Sequence, residues 1–323
     1  MTDEFSDKHV RRMQYRRLLE LVRDPAQVPV EKWTIPEDTH LLKSPAAFRD
    51  QVVEQFGDDS CKGDPMPASK TNQLLRFRAA ETSMWVGYHE SYKTTFLSEL
   101  SASWACRRIP VAIASLEMPA PVLLRKAVQQ TLASDRPAVD MIDVAIERLA
   151  ESMIVYDVVG RIAPRHLVAI MRYCAIELGV RHFVIDNLTL VLSVDNDRAG
   201  EHQQFVAACS TVARTTGLHV HLLAHTSKPE RGDESKIPTG YDARGTGSAV
   251  DMVDNVLICH RNKKKEDRLA DGASDRELFE EPDFLLKVDK QRHFPFRGAF
   301  KYWLDARTLR FKEYGTSDVE PFI

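Results

Sequence analysis

Residues 87–95 read GYHESYKTT, and the four residues before them, SMWV, form a short, largely apolar run. Gly87, Lys93 and Thr94 stand at the fixed positions of the phosphate-loop pattern G-x-x-x-x-G-K-[ST]. In that pattern backbone N–H groups face the phosphates, the lysine reaches the β- and γ-phosphates, and the hydroxyl binds magnesium. Because a strand-like run precedes the loop and a helical pattern, Thr94–Arg107, follows it, the stretch predicts a nucleotide-binding turn between a strand and a helix.

The second glycine of the pattern is replaced by Tyr92. A glycine at this position lets the backbone approach the phosphates with no side chain in between. Tyr92 must therefore either point outward or reshape the loop, and we expect its side chain to point away from the phosphates. A coincidence of Gly, Lys and Thr at an ordinary strand-to-helix turn is the alternative, which the rest of the chain has to decide.

Apolar runs of strand length alternate with helical segments along most of the chain. The runs are Ser83–Val86, Val111–Leu116, His182–Asp186 and His219–His225. The helical segments are Thr94–Arg107, Pro121–Ser134, Pro164–Leu178 and Glu201–Thr215. This alternation predicts an α/β fold with a mostly parallel central sheet flanked by helices. Further strand-like runs are residues 255–260, 283–291 and 299–305, and the charged segment 261–277 among them is predicted to be an exposed loop or hairpin.

The N-terminal part has a different character. Residues 5–23 predict an arginine-rich amphipathic helix that either caps its own domain or packs on a neighbouring subunit. Residues 24–80 are rich in Pro, Gly, Asp and Ser with a weak pattern, which is typical of a linker. We therefore divide the chain into an N-terminal helix (1–25), a linker and irregular lead-in (26–80) and a main domain (81–323).

Composition narrows the class of protein. The 323 residues are 43% hydrophobic and 28% charged, which excludes a disordered or fibrous chain. The formal net charge of -3 excludes a uniformly basic protein, so any nucleic-acid contact must come from local basic loops. The five cysteines show no zinc-ligand spacing and are expected to be free thiols in a reducing cytosol. No apolar window approaches the roughly 18 residues of a membrane span, and no signal is recognisable, so we expect a soluble cytoplasmic protein.

Hydrolysis of a γ-phosphate requires a base for the attacking water and a carboxylate near magnesium. Glu117 follows the run VAIASL, at the strand end where doubly wound sheets place functional groups, although it could instead cap the next helix. Asp186 ends RHFVID, a pattern typical of the carboxylate that organises the magnesium shell. His225 ends HVHLLAH, where a single histidine is more often structural than catalytic.

Lys290 and Arg292 lie two residues apart in DFLLKVDKQRH. On a strand both would project from one face and reach a phosphate together. A solvated basic strand end is the alternative interpretation.

The ordered motifs GYHESYKTTF, ASLEMP, RHFVIDNLTLV, HLLAHTSKP, ARGTGS and VDKQR resemble those of the DnaB-like hexameric replicative helicases. The resemblance covers Thr82 to Phe311 and is most specific at ASLEMP, where that family carries a catalytic glutamate. The segments YDVVG, GVRHFVIDNL and DKQR look most like the phage and mitochondrial branch. The resemblance implies a RecA-like P-loop NTPase core preceded by an N-terminal helix and linker.

By this resemblance Glu117 would activate water and His225 would sense the γ-phosphate. Lys290 and Arg292 would act in trans, inserted into the site of a neighbouring subunit, which requires an oligomer.

The implied cofactors are ATP, or another NTP or dNTP, and Mg²⁺. Thr94 and Asp186 would hold the magnesium. The residues expected to contact the nucleotide are Gly87, Ser91, Tyr92, Lys93, Thr94, Thr95 and Asp186.

The implied partners are single-stranded and forked duplex DNA and further copies of the chain in a hexameric ring. In the family the N-terminal helix packs on the adjacent subunit, which favours that reading of residues 5–23. DNA contacts come from loops that line the central channel, here the segment after His225 and the turn Arg244–Ser248. The residues expected to bind DNA are Lys228, Arg231, Lys236, Arg244, Gly245 and Gly247.

The implied function is an ATP-driven motor that moves 5′ to 3′ on single-stranded DNA and unwinds duplex DNA, as a phage protein in the bacterial cytoplasm. No zinc-ribbon or primase-like domain is recognisable, so a separate primase, loader or polymerase is expected. Two alternatives stay open: a RecA/RadA-type recombination ATPase that pairs strands, and a hydrolysis-deficient P-loop scaffold that binds DNA without turnover.

Overall fold

The computed structural model describes residues 43–57, 63–191, 198–226, 236–243, 247–273, 275–314 and 319–323. The chain divides into two compact units, Met1–Cys61 and Lys62–Ile323. In the first unit the described elements are a 3-10 helix, Pro45–Phe48, and helix α1, Arg49–Gly57. The helix predicted at residues 5–23 lies outside the described residues.

Within the described residues, the second unit is built on one nine-stranded sheet. Its strands are β1 Thr82–Gly87, β2 Val111–Ser115, β3 Met153–Tyr156, β4 His182–Asp186, β5 His219–His225, β6 Asn255–Arg261, β7 Phe284–Gln291, β8 Gly298–Asp305 and β9 Arg310–Glu313. The α-helices are α2 Ser69–Asn72, α3 Lys93–Cys106, α4 Ala120–Leu132, α5 Val139–Ala150, α6 Pro164–Ile176, α7 Arg198–Thr216, α8 Lys263–Ala270 and α9 Arg276–Glu280. Short 3-10 helices lie at Leu188–Leu190, Gly240–Asp242 and Gly247–Met252. None of the described helices is both long and apolar enough to cross a membrane.

The strand order is β3-β2-β4-β5-β1-β6-β7-β8-β9. All pairings from β3 to β6 are parallel, and β7, β8 and β9 add an antiparallel meander at one side. The predicted α/β fold with a mostly parallel sheet is therefore confirmed. Parallel strands of this kind align their carboxyl ends along one edge, where α/β proteins bind ligands.

Helices cover both faces of the sheet, which is why the central strands are apolar on both faces. All six residues of β1 are buried. Trp85 belongs to one core cluster with residues of α3, α4 and α5, whereas Met84 and Val86 belong to a second cluster with residues of α6 and α7. Because strand side chains alternate between faces, this double burial produces the near-continuous apolar runs seen in the sequence.

The structure differs from the sequence-based expectations in two segments. Met66, Leu75 and Phe77, which lie in the stretch predicted as linker and irregular lead-in, are buried in the core of the second unit. The charged segment predicted as an exposed loop or hairpin contains helix α8 and the start of α9. The Asn262 side chain caps α8 by accepting from the Lys265 N–H at 3.1 Å, and such a cap satisfies a backbone donor that water would otherwise bind.

Three buried histidines lie together in the core, His182 in β4 and His219 and His221 in β5. The Trp85 indole N–H donates to His221 Nδ1 at 3.2 Å, which assigns the His221 proton to Nε2. This Nε2–H donates to His182 Nδ1 at 3.2 Å, and His182 Nε2–H donates to the Asp64 carboxylate at 2.8 Å. Both rings are therefore neutral, each with one donor and one acceptor nitrogen.

His219 is neutral because its complete burial lowers its pKa well below the ordinary histidine value. Its Nδ1–H donates to the Arg78 carbonyl oxygen at 2.5 Å, so the unprotonated Nε2 accepts from the Ser83 hydroxyl at 2.8 Å. Burial lowers the pKa of His182 and lowers the pKa values of His219 and His221 further. The sheet interior thus contains three histidines in their uncharged form.

We expect the free energy of unfolding to fall as the pH drops below about 6.5, the ordinary histidine pKa. The three histidines are neutral when folded and take up protons once unfolding exposes them, so their contribution is complete above that pH. The loss is up to about 1.4 kcal/mol per pH unit for each histidine. Urea unfolding between about pH 5 and 8 measures the slope, which His221→Gln should reduce by about one histidine's share.

The control is His166→Gln, because His166 is exposed on α6. It should leave the slope unchanged. Equal slopes for wild type and His221→Gln would show that His221 is protonated in the folded chain, against the hydrogen-bond assignment.

Candidate active site

The carboxyl ends of four parallel strands bring the predicted site residues to one edge of the sheet. Pairing of β1 with β5 places Gly87 beside His225, and pairing of β2 with β4 places Ser115 beside Asp186. Glu117 follows β2 at the same edge. The residues singled out on separate strands therefore meet in one place.

The phosphate loop, defined here as residues 87–92, begins with a glycine that has no room for a side chain. A Cβ atom at Gly87 would lie 2.4 Å from the Cys259 carbonyl oxygen of β6 and 2.4 Å from Ser91 Oγ. Because the first of these atoms belongs to the backbone of the neighbouring strand, it cannot move aside. A glycine is required at this point by the close approach of β6.

The Lys93 ammonium lies inside the phosphate loop. It donates to the carbonyl oxygens of Gly87 at 2.9 Å and Tyr88 at 2.7 Å and to Ser91 Oγ at 3.2 Å. Lys93 is buried, and this burial lowers its pKa. The loop therefore surrounds a cation that has few contacts with water, where an anion would be bound strongly.

Tyr92 adopts the left-handed backbone conformation, with φ of 65°. This conformation costs a non-glycine residue on the order of 1–2 kcal/mol, which the glycine of the usual pattern avoids. The Tyr92 ring packs edge-on against Phe284 and Phe311, at centroid distances of 6.4 and 6.0 Å. The backbone of residue 92 thus follows a path suited to glycine, while its partly buried ring packs against the core.

Thr94 and Asp186 place two oxygen groups side by side. The Thr94 hydroxyl donates to Asp186 Oδ2 at 2.6 Å. Asp186 is only 5% exposed, and this burial raises its pKa. A carboxylate buried in this way gains stability from a nearby cation.

Glu117 is held by two side chains. It accepts hydrogen bonds from Asn187 Nδ2 and, at 3.3 Å, from His225 Nε2. The hydrogen bond from His225 lowers the pKa of Glu117 and outweighs the opposite effect of partial burial. The carboxylate is therefore ionised at neutral pH, which is the form that a general base needs.

Asn187 and His89 also belong to this site, and the sequence analysis missed both. The Asn187 Oδ1 accepts from the Thr189 N–H at 2.9 Å, which orients the amide so that its NH₂ group faces Glu117. The His89 ring stacks on the His225 ring at a centroid distance of 5.4 Å. For Asn187 the available signal was its position directly after the strand that ends in Asp186. For His89 the available signal was a histidine within the phosphate loop.

Lys290 and Arg292 lie at the opposite edge of the sheet. β7 is antiparallel to β6, and its last residue, Gln291, pairs with Asn255 at the start of β6. Both cations donate to the Asp251 carbonyl oxygen at 3.2 Å. The structure therefore does not bring Lys290 and Arg292 to the phosphate loop of their own chain.

Most of the predicted DNA-binding residues lie outside the described residues. Thr226 and Ala243 pair in an antiparallel bridge. Lys236 is exposed, and Gly247 begins the 3-10 helix Gly247–Met252. The residues outside the described part are Lys228, Arg231, Arg244 and Gly245.

The phosphate loop begins with a glycine, the buried Asp186 carboxylate lies beside the Thr94 hydroxyl, and the sheet is mostly parallel. Together these features define the fold class as a RecA-like P-loop domain. Residues 54–231 match the AAA domain family. This match spans more than half of the chain, and the protein belongs to the AAA domain family. No curated protein matches the sequence.

Solved structures support the same fold. A solved structure described as an ATPase domain superposes with a TM-score of 0.68 at 17% identity, covering 84% of this chain and 98% of that one. A DnaB-like replicative helicase, described with its interactions with primase, superposes with a TM-score of 0.66 at 16% identity, covering 96% of this chain and 76% of that one. The chain therefore shares its fold with both of these solved structures.

We expect His225→Ala to raise the pKa of Glu117, because the largest cause of its lowering is the hydrogen bond from His225. A pH titration of the Glu117 carboxyl carbon by NMR measures this directly. The matched variant His89→Ala should raise the pKa of Glu117 less. The charge of His89 lowers this pKa less than either the hydrogen bond or the charge of His225 does. Equal titration curves for wild type and His225→Ala would contradict the assignment of His225 as the residue that lowers the pKa of Glu117.

Proposed function

We propose that the protein is an ATP-dependent DNA helicase that works as a ring of identical subunits. One observation carries the proposal: the candidate hydrolytic residues lie together at the carboxyl ends of the parallel strands, and two cations lie at the opposite end of the sheet. A single chain cannot bring both ends to one nucleotide, whereas neighbouring copies can. The geometry thus suits a motor whose active sites are shared between subunits.

The phosphates of a nucleoside triphosphate would bind within the phosphate loop. Lys93 supplies a buried positive charge there, and the first amides of α3 supply backbone N–H donors. Gly87, Ser91 and Thr95 line the same turn. Tyr92 contributes its backbone to the turn, since its ring packs against the core.

Thr94 and Asp186 fit a magnesium ion, because a hydroxyl and a carboxylate 2.6 Å apart are hard oxygen donors of the kind Mg²⁺ prefers. Mg²⁺ typically uses one or two carboxylates together with substrate phosphates, so this small donor set is sufficient. The ion would neutralise charge that develops on the phosphates during hydrolysis. It would also compensate the buried charge of Asp186.

Glu117 is the general base of the proposed hydrolysis. It is ionised, and hydrogen bonds from Asn187 and His225 hold its side chain in place. His225, next to Gly87 on the adjacent strand, is suited to sense the γ-phosphate and to transmit its presence to Glu117. Loss of such a base typically slows hydrolysis by about 10²- to 10⁴-fold.

Lys290 and Arg292 are the trans-acting cations of this proposal. Their ammonium and guanidinium groups would stabilise transition-state charge in the site of the adjacent subunit. The N-terminal segment, residues 1–25, would pack on that subunit, and six subunits would close the ring. The structures with the same fold include a DnaB-like replicative helicase described with its interactions with primase, which supports a helicase assembly with separate primase, loader or polymerase partners.

DNA would thread the ring and contact the segment between Thr226 and Gly247. Lys228, Arg231, Lys236 and Arg244 would bind backbone phosphates, while Gly245 and Gly247 let the chain approach the strand. Movement from 5′ to 3′ on single-stranded DNA and unwinding of forked duplexes in the cytoplasm complete the proposal.

We expect single-stranded DNA to stimulate phosphate release by the purified protein. Lys93→Ala should abolish nucleotide binding, and Glu117→Gln should retain binding but lower kcat by about 10²- to 10⁴-fold. Glu277→Gln, an exposed carboxylate on α9, is the control and should behave as wild type. Phosphate release from wild type that is no faster than from Lys93→Ala would favour the hydrolysis-deficient scaffold. Filaments in electron micrographs and no unwinding of a forked duplex would favour the recombination ATPase.

Mixing two inactive variants tests the shared site. In a mixed ring, the phosphate loop of an Arg292→Ala subunit meets intact cations from a Lys93→Ala neighbour, so that interface is complete. We therefore expect mixtures to hydrolyse ATP faster than either variant alone, with a maximum near equal proportions. Rings shown by mass spectrometry to be mixed, yet inactive at every ratio, would rule out a trans role for Arg292.

A further inference from the structure

The phosphate loop has two non-glycine residues in the left-handed region, Glu90 with φ of 61° and Tyr92 with φ of 65°. L residues rarely adopt this conformation, so surrounding contacts must hold the loop in place. A glycine at position 92 would need no such support. The contacts of Tyr92 must therefore help to hold this loop in its shape.

The Tyr92 hydroxyl donates to Glu266 Oε1 at 2.9 Å, which joins the phosphate loop to α8. Burial and Glu266 both raise the pKa of Tyr92, so the phenol stays protonated and remains a donor at neutral pH. The Arg261 guanidinium lies over the Tyr92 ring, 4.7 Å from its centroid. This distance is typical of a cation–π contact.

Arg261 connects three elements with one side chain. It lies at the end of β6, and its Nε donates to both Glu266 oxygens at 2.7 and 2.9 Å. Its NH1 donates to the Glu90 carbonyl oxygen at 3.3 Å and lies 3.8 Å from the Glu90 carboxylate. The strand β6, the helix α8 and both left-handed positions of the loop are thus tied together.

α8 is itself firmly attached to the core. The Lys265 ammonium, 4% exposed, lies 2.7 Å from the Asp283 carboxylate and donates to the Glu281 carbonyl oxygen at 2.7 Å. The Asn262 side chain caps the start of the helix. The Glu266 carboxylate is therefore presented to the loop from a fixed support.

We propose that Tyr92 is a positioning residue that holds the phosphate loop in its nucleotide-binding shape through Glu266 and Arg261. A tethered side chain here replaces the conformational freedom that a glycine has in the usual pattern. This inference rests on the proposed nucleotide-binding function of the loop. It extends that function to α8 and makes nucleotide affinity depend on this helix.

The test compares five variants in the full-length chain: Tyr92→Ala, Tyr92→Gly, Tyr92→Phe, Glu266→Gln and the control Asp267→Asn. Asp267 is exposed on the same helix as Glu266. Binding of a fluorescent ATP analogue gives the Kd, steady-state hydrolysis gives KM and kcat, and amide hydrogen exchange of residues 87–95 reports loop order without nucleotide.

We expect Tyr92→Ala to raise Kd and KM roughly tenfold with kcat changed by less than about twofold, because binding geometry is lost while Glu117 is untouched. Tyr92→Gly should be less impaired than Tyr92→Ala, since glycine adopts the left-handed conformation without strain. Tyr92→Phe and Glu266→Gln should raise Kd by about threefold each, because each weakens the hydroxyl–carboxylate contact. Loop exchange should accelerate in the same order, and Asp267→Asn should match wild type.

Wild-type Kd and loop exchange in Tyr92→Ala and Glu266→Gln would overturn the proposal. A lower melting temperature in these variants with unchanged Kd and KM would also overturn it, since Tyr92 would then be only a core residue. Should Tyr92→Ala fail to fold, Tyr92→Phe and Glu266→Gln decide, because both keep the core filled. If the wild type binds no nucleotide, the proposed function fails, whereas the hydrogen-exchange order still tests the anchoring of the loop.

Discussion

Parallel pairing of β1 between β5 and β6 is the constraint on which the rest of the site depends. It aligns Gly87 with His225 and sets the Cys259 carbonyl oxygen where a side chain of residue 87 would lie. Because both faces of β1 are buried, a shift by one residue would move Trp85 into the wrong core cluster. The packing of the core therefore fixes the register, and the register places the phosphate loop relative to the other strand ends.

The buried polar groups at the two ends of the sheet differ in their charge. The cluster of His182, His219 and His221 is neutral, with its nitrogens paired to neighbouring groups. At the carboxyl edge, Lys93 and Asp186 are buried as ionisable groups whose pKa values are moved by burial. Charges of this kind cost stability unless a ligand or metal compensates them, so the core is stabilised at one end and prepared for binding at the other.

The sequence predicted the central strands and the helices after them closely, since period and length distinguish buried parallel strands from helices. It did not predict helix α5 or the strands β3 and β9. These two strands have four residues each and are the outermost strands of the sheet. It also predicted an exposed loop or hairpin where α8 lies. α8 is rich in charged residues, and this composition does not indicate that Lys265 is buried. The buried Lys265 ammonium forms an ion pair with Asp283, which is distant in the sequence.

The sequence by itself determined the α/β fold class and predicted Lys93, Thr94, Glu117 and Asp186 as candidate site residues, because each lies at or just after a strand pattern where nucleotide chemistry needs that residue type. The tertiary structure decided which side chains contact the site residues. Asn187 donates to Glu117, the His89 ring stacks on His225, and Glu266 accepts from Tyr92. These contacts join segments far apart in the chain, and local patterns carry no information about such meetings. For the same reason, only the fold showed that Lys290 and Arg292 lie at the edge opposite to their own phosphate loop.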